Sequence, residues 1–147
     1  MDKPKITYHV LNTDIYSKQD SVYAGTYTGD KALNINLRIW NNFRGTEAVE
    51  DLEDFSLVLH FLTEEDNALL QYISLSITDE IEIPCIIEEN TVVGTFVDPV
   101  ALSGQANTGS DTYTGNYINI TVSFNAGAGA YLKDHDLKSL VLEIVEQ

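Results

Sequence analysis

Catalysis needs a nucleophile, a base and an orienting group, or a metal with convergent ligands. The side chains that could supply these are thinly spread here. The three histidines, His9, His60 and His135, lie in separate segments with neither metal-motif nor triad spacing. His60 shares a strand face with Ser56, Val58 and Leu62, the position of a half-buried sheet residue. Asp134-His135-Asp136 is able to bind a cation or hold an imidazole tautomer, but a solvated turn is the plainer reading. Cys85 is the only cysteine, so neither an internal disulfide nor a cysteine-based metal cluster can form.

Carboxylates gather at Glu47, Glu50, Asp51, Glu53 and Asp54, again at Glu64, Glu65 and Asp66, and at Asp79, Glu80 and Glu82. Paired carboxylates can do acid–base work or hold calcium. No Asp-x-Asp-x-Asp-Gly loop is present, and solubility and charge-based partner choice are the expected roles. Gly25-Thr26-Tyr27-Thr28-Gly29-Asp30-Lys31 lacks the spacing of a phosphate loop and joins two β patterns where a helix would be required. The Asn119-Ile120-Thr121 sequon falls inside a strand pattern. No catalytic, cofactor or metal site is therefore expected.

The aromatic residues say more. The tyrosines are Tyr8, Tyr16, Tyr23, Tyr27, Tyr72, Tyr113, Tyr117 and Tyr131, and Trp40 falls on the polar face of its strand. Exposed Tyr and Trp serve as sugar platforms and as interface anchors. Trp40, with Tyr113 and Tyr117, is the expected partner-contact set. Trp40 is assigned a contact with a loop of its own domain or with a partner.

These residues ride on strands. In 33–40, Leu33, Leu37, Ile35 and Ile39 alternate with Asn34, Asn36, Arg38 and Trp40. In 117–124, Ile118, Ile120, Val122 and Phe124 alternate with polar partners, a period of two that puts one face on a core. Segments 55–62 and 69–77 are more apolar and flank the polar Glu64-Glu65-Asp66-Asn67, which predicts a hairpin. Segments 81–87, 91–97 and 137–145 complete the set, with 5–11 and 22–28 as edge strands. Pro84 lacks a backbone donor and marks 81–87 as an edge or a bulge. Eight or nine strands, little helix and no βαβ rhythm predict an all-β fold, one antiparallel β-sandwich of jelly-roll or immunoglobulin-like type. Flexible loops are expected near 12–21, 103–115 and 125–130.

At 147 residues the chain makes a single domain over 1–147. Its 23 acidic against 8 basic residues give a net charge of −15, which repels phosphate backbones and anionic lipid heads. Neither a nucleic-acid nor a membrane partner is expected. The charged Met1-Asp2-Lys3-Pro4-Lys5 start, followed by alternation, does not read as a signal peptide, so synthesis is expected in the cytoplasm.

The extended opening, the strand ending Trp40-Asn41-Asn42, the acidic connection ending Asp51-Leu52-Glu53-Asp54 and the strand Phe55-Ser56-Leu57-Val58-Leu59-His60-Phe61 together carry a resemblance. The chain resembles small β-sandwich virion proteins of tailed bacteriophages, which build baseplates, tail adaptors, head fibres or capsid decorations. The resemblance implies a non-enzymatic part working in many copies, a homo-oligomer held by its own and neighbouring virion subunits, made in the host cytoplasm and carried in the virion. The alternative is a carbohydrate-binding module using exposed Tyr and Trp, with calcium as its candidate ion.

Overall fold

The computed structural model describes residues 1–12, 15–18, 33–61, 70–78, 80–124 and 140–146. Ten strands run through them: β1 (Ile6–Asn12), β2 (Ile15–Lys18), β3 (Leu33–Asn41), β4 (Phe55–Phe61), β5 (Ile73–Ile77), β6 (Ile81–Ile83), β7 (Cys85–Glu88), β8 (Thr91–Gly94), β9 (Tyr117–Phe124) and β10 (Leu140–Glu146). One sheet has the order β2-β1-β3-β9-β5-β6 and the other β10-β4-β8-β7, with antiparallel pairing throughout. The two pack as the expected all-β sandwich.

The alternation seen in the sequence builds the core. β3 and β9 pair from Leu33 opposite Phe124 to Trp40 opposite Tyr117, which aligns Leu37 with Ile120 and Ile39 with Ile118 on one face. Leu57 and Leu59 of β4 and Leu142 of β10 meet them from the smaller sheet, and all are essentially inaccessible to solvent. Each such side chain stabilises the fold by about 1.5–3 kcal/mol on burial. Gly94 of β8 also belongs to this packing, since a Cβ there would come 2.7 Å from the Leu75 side chain.

Partnering differs from the sequence expectation in several places. β4 and β5 do not form a hairpin: β4 lies between β10 and β8, whereas β5 pairs with β6 and β9 in the other sheet. Alternation marks a strand without saying which sheet receives it. Segment 69–77 begins as a single 3₁₀ turn at 70–72 before β5 starts. The region 12–21, expected as a loop, contains β2, which pairs with β1. The strands expected at 22–28 and the loop at 125–130 lie outside the described residues.

Pro84 behaves as its missing donor requires. It breaks 81–87 into β6 and β7, each an edge strand, one in either sheet. The chain thus joins the two sheets covalently along one side. On the other side, the Ile144 amide of β10 donates to the Tyr8 hydroxyl of β1 at 2.9 Å, so a phenol bridges the sheets and caps part of the β10 edge.

Two predictions follow from these local geometries. The β7–β8 hairpin turns through Glu89 and Asn90 with φ of 43° and 67°, the left-handed pair of a type I′ turn that favours Asn-Gly. Glu89→Asn combined with Asn90→Gly is expected to raise stability by about 0.5–1 kcal/mol in urea unfolding. Burial pushes the Tyr8 phenol above its ordinary value, outweighing the lowering by the Ile144 amide. The neutral phenol is therefore favoured in the fold, and its contribution is full below about pH 10 and declines as pH rises further. Tyr8→Phe should cost about 1 kcal/mol at neutral pH, and its deficit should shrink in alkaline unfolding curves.

Candidate functional site on the outer face of the larger sheet

Opposite the core, β3 presents Asn36, Arg38 and Trp40, flanked by Thr7 and His9 of β1 and by Tyr117, Asn119 and Thr121 of β9. Alternation alone would leave this face to solvent. Instead Trp40 is 1% exposed, His9 2% and Arg38 8%.

The cover comes from the chain itself. The Phe43 ring stands edge-on to His9 at 4.5 Å and to Trp40 at 5.0 Å, and Tyr117 lies 4.8 Å from Trp40. The Arg38 guanidinium sits 3.9 Å above the Tyr117 ring, its Nε donates to Asn119 Oδ1 at 2.8 Å, and its Nη1 meets Asp111 Oδ1 at 2.6 Å. Tyr117 donates its hydroxyl to the Asp111 carbonyl at 2.6 Å. A buried cation is thus matched by a carboxylate, an amide oxygen and a ring face, the compensation that burial demands. Because the Asp111 side chain is 85% exposed, solvent screens its part of the pairing.

Asparagine carboxamides hold these covering segments in place. Asn41 accepts from the Lys5 amide at 2.9 Å and donates to the carbonyls of Glu50 and Leu102. Asn42 donates to the carbonyls of Glu47, Gly104 and Gln105. Asn107 donates to the carbonyls of Asn42 and Gln105 and accepts from the amides of Arg44 and Gly109. Asn116 donates to the carbonyls of Asn41, Ser103 and Gln105 and accepts from the Gln105 side chain. All four are buried, two of them completely.

Backbone conformation fits the same arrangement. Asn42 and Arg44 adopt φ of 59° and 58°, which ends β3 and folds Phe43 back over the sheet. Gly104 lies so close to the segment around Val49 that a Cβ would fall 2.1 Å from the Val49 carbonyl oxygen. Its amide donates to Asp51 Oδ1, giving one residue of the acidic connection a structural role.

The segment 103–115, expected as a flexible loop from its Gly, Ser, Thr and Asn content, is tied to the end of β3 by side-chain hydrogen bonds. Both of its ends are fastened by buried side-chain hydrogen bonds. Of the expected contact residues, Trp40 and Tyr117 are brought together. Of the two contacts expected for Trp40, the structure gives the one within its own domain, with Phe43 and Tyr117, and leaves the ring buried on the outer face of the sheet. Tyr113 is half-exposed and, among the described residues, makes no ring contact with either. Arg38, Phe43, Asp111 and the four asparagines were not singled out from sequence. The one available signal was Asn41-Asn42 closing an alternating strand, where a buried turn needs carboxamides.

The chemical inventory remains sparse. Burial pushes the Cys85 thiol up, away from the reactive thiolate, and the thiol donates to the Ile83 carbonyl. Among the described residues, no three His, Cys, Asp or Glu converge as metal ligands. An open cleft of about 350 Å³ lies between Phe55, Phe96 and Val100, with Asp54 and Thr95 as its polar lining, and brings no nucleophile to a base. The arrangement presents a polar loop, with Ser110, Asp111, Thr112 and Thr114 exposed.

Compared with protein-family models, curated proteins and solved structures, the chain matches none.

Asn116→Ala removes the donor to three carbonyls and should cost about 3 kcal/mol or more in urea unfolding, with amide exchange across 103–116 accelerated. Trp40→Ala should destabilise by about 3–5 kcal/mol, the range of a core aromatic, where an exposed anchor would cost little.

Proposed function

We propose that this protein is a non-enzymatic assembly component, a virion part of a tailed bacteriophage that works in many copies through protein–protein contacts. The observation that carries the reading is the loop at 103–116, whose base is tied by Asn42, Asn107 and Asn116 and whose exposed Asp111 is tied to Arg38 and Tyr117. A surface ordered before it meets a partner loses little conformational entropy on binding, which favours contacts repeated many times in a particle. Among the described residues, no helix is long and apolar enough to cross a membrane. The proposed partners are further copies of this chain and neighbouring virion proteins, with synthesis in the host cytoplasm.

The carbohydrate-binding alternative loses its principal platform, because the Trp40 ring is covered by Phe43 and Tyr117. Size-exclusion chromatography with light scattering, run with calcium and with chelator, separates the two readings. A discrete multimer indifferent to calcium is the expected result. A monomer stabilised by calcium that binds a glycan array would overturn the assembly reading.

A further inference from the structure

The smaller sheet has an outer face of a different character. Directly paired residues of antiparallel strands point to the same side, and the register aligns Glu143 of β10, Val58 of β4, Val93 of β8 and Ile86 of β7 in one row. Val141 lies beside His60 in the next row, and Val145 stands on the other side of Glu143. The core-facing residues Leu57, Leu59, Val92 and Leu142 point the opposite way.

Among the described residues, the centre of this outer face is poor in charge and mixes aliphatic side chains with His60 and Thr91, while Ser56 beside Val145 is buried. Ile86 is 56% exposed and Val145 44%, and Val58, Val93 and Val141 are half-exposed. None of the five packs against the hydrophobic core. On a chain of net charge −15, the only carboxylates in these rows are Glu143 on one edge strand and Glu88 on the other. An interface centre is marked by this depletion of charge within a polar rim.

We propose that this face is where two copies of the chain stack, sheet against sheet. The proposal rests on the multiple-copy reading above and names its surface. Charge selects the occupant. A basic partner would be steered to the acidic connection at Glu47, Glu50, Asp51, Glu53 and Asp54, whereas two copies of so acidic a chain approach with least repulsion through their neutral faces. A two-fold axis along the strands lays β4 of one copy over β8 of the other, with Val58 against Val93, and carries Glu143 and Glu88 to the rims. Sheets stacked this way sit about 10 Å apart with strands within about 30° of one another. Only the row through Val58 and Val93 crosses all four strands, so the patch lies within about 19 Å by about 20 Å. That is smaller than the roughly 800 Å² per partner of a standard interface, so the pair is reversible and strengthens when copies are concentrated in an assembly.

Sedimentation velocity across a concentration series from micromolar to millimolar tests this. Val93→Glu, at the centre of the face, should weaken self-association by at least about tenfold. Ile86→Glu, on an exposed edge strand where folding is insensitive to the change, should do the same. Ile81→Glu adds the same charge on β6 of the other sheet and should leave association unchanged, with circular dichroism and melting curves checking each fold. Self-association that survives both Val93→Glu and Ile86→Glu overturns this surface while the multiple-copy reading stands. A wild-type chain that stays monomeric across the whole series overturns both.

Discussion

The carboxamide groups of Asn41, Asn42, Asn107 and Asn116 set the conditions for most of what surrounds them. Each offers two donors and an acceptor in a fixed plane, so it can join backbone groups from segments that no ladder pairs. Here they tie the end of β3 to residues 47–52, to residues 102–107 and to the Lys5 amide. Phe43 can fold over Trp40 only because Asn42 and Arg44 hold left-handed conformations on either side of it. Asp111 reaches Arg38 only because Asn107 and Asn116 fasten the loop that carries it. A buried polar network of this kind stabilises only when all its members are satisfied, which is why removal of a single carboxamide acts far beyond its own contacts.

The two sheets meet solvent in opposite ways. The larger one buries a cation and a tryptophan on its outer face beneath its own turn and loop, whereas the smaller one leaves valines and an isoleucine open. Among the described residues, the acidic side chains sit mainly in connections and at strand ends, so electrostatic repulsion from them is weakest across the flat of the smaller sheet. Pro84 and the Tyr8 hydroxyl close the two long sides between them, one by the chain itself and the other by a hydrogen bond.

The strands were legible in the sequence because burying one face of a strand writes a period of two into it. β3, β4 and β9 follow that pattern closely, with Leu37, Leu57 and Ile120 inward. Strand partners were not legible, since the alternation in β4 and β5 is the same whether they adjoin or lie in different sheets. Alternation placed Trp40 on the outer face but could not choose between its own loop and a partner, because it does not show that the second face has a cover of its own. The hydrogen bonds that tie the loop at 103–115 were not legible, because composition counts polar side chains without showing whether they find buried partners. Asn107 and Asn116 look like any turn asparagine until the carbonyls they satisfy are in view.

The hydrogen bond from Ile144 to Tyr8 spans 136 residues of sequence, and β10 finds its place only against β4, far earlier in the chain. Successive strands also change sheet at β3 to β4, β4 to β5, β6 to β7, β8 to β9 and β9 to β10. Little of the sandwich can therefore be assembled from neighbours alone, and chain-closure entropy must be met before the non-local pairings return any stability. Such a topology folds slowly and late. Until β10 docks, the β4 edge stays unpaired, so the unfinished chain is the form most exposed to wrong pairing, and its strong negative charge keeps copies apart during that interval.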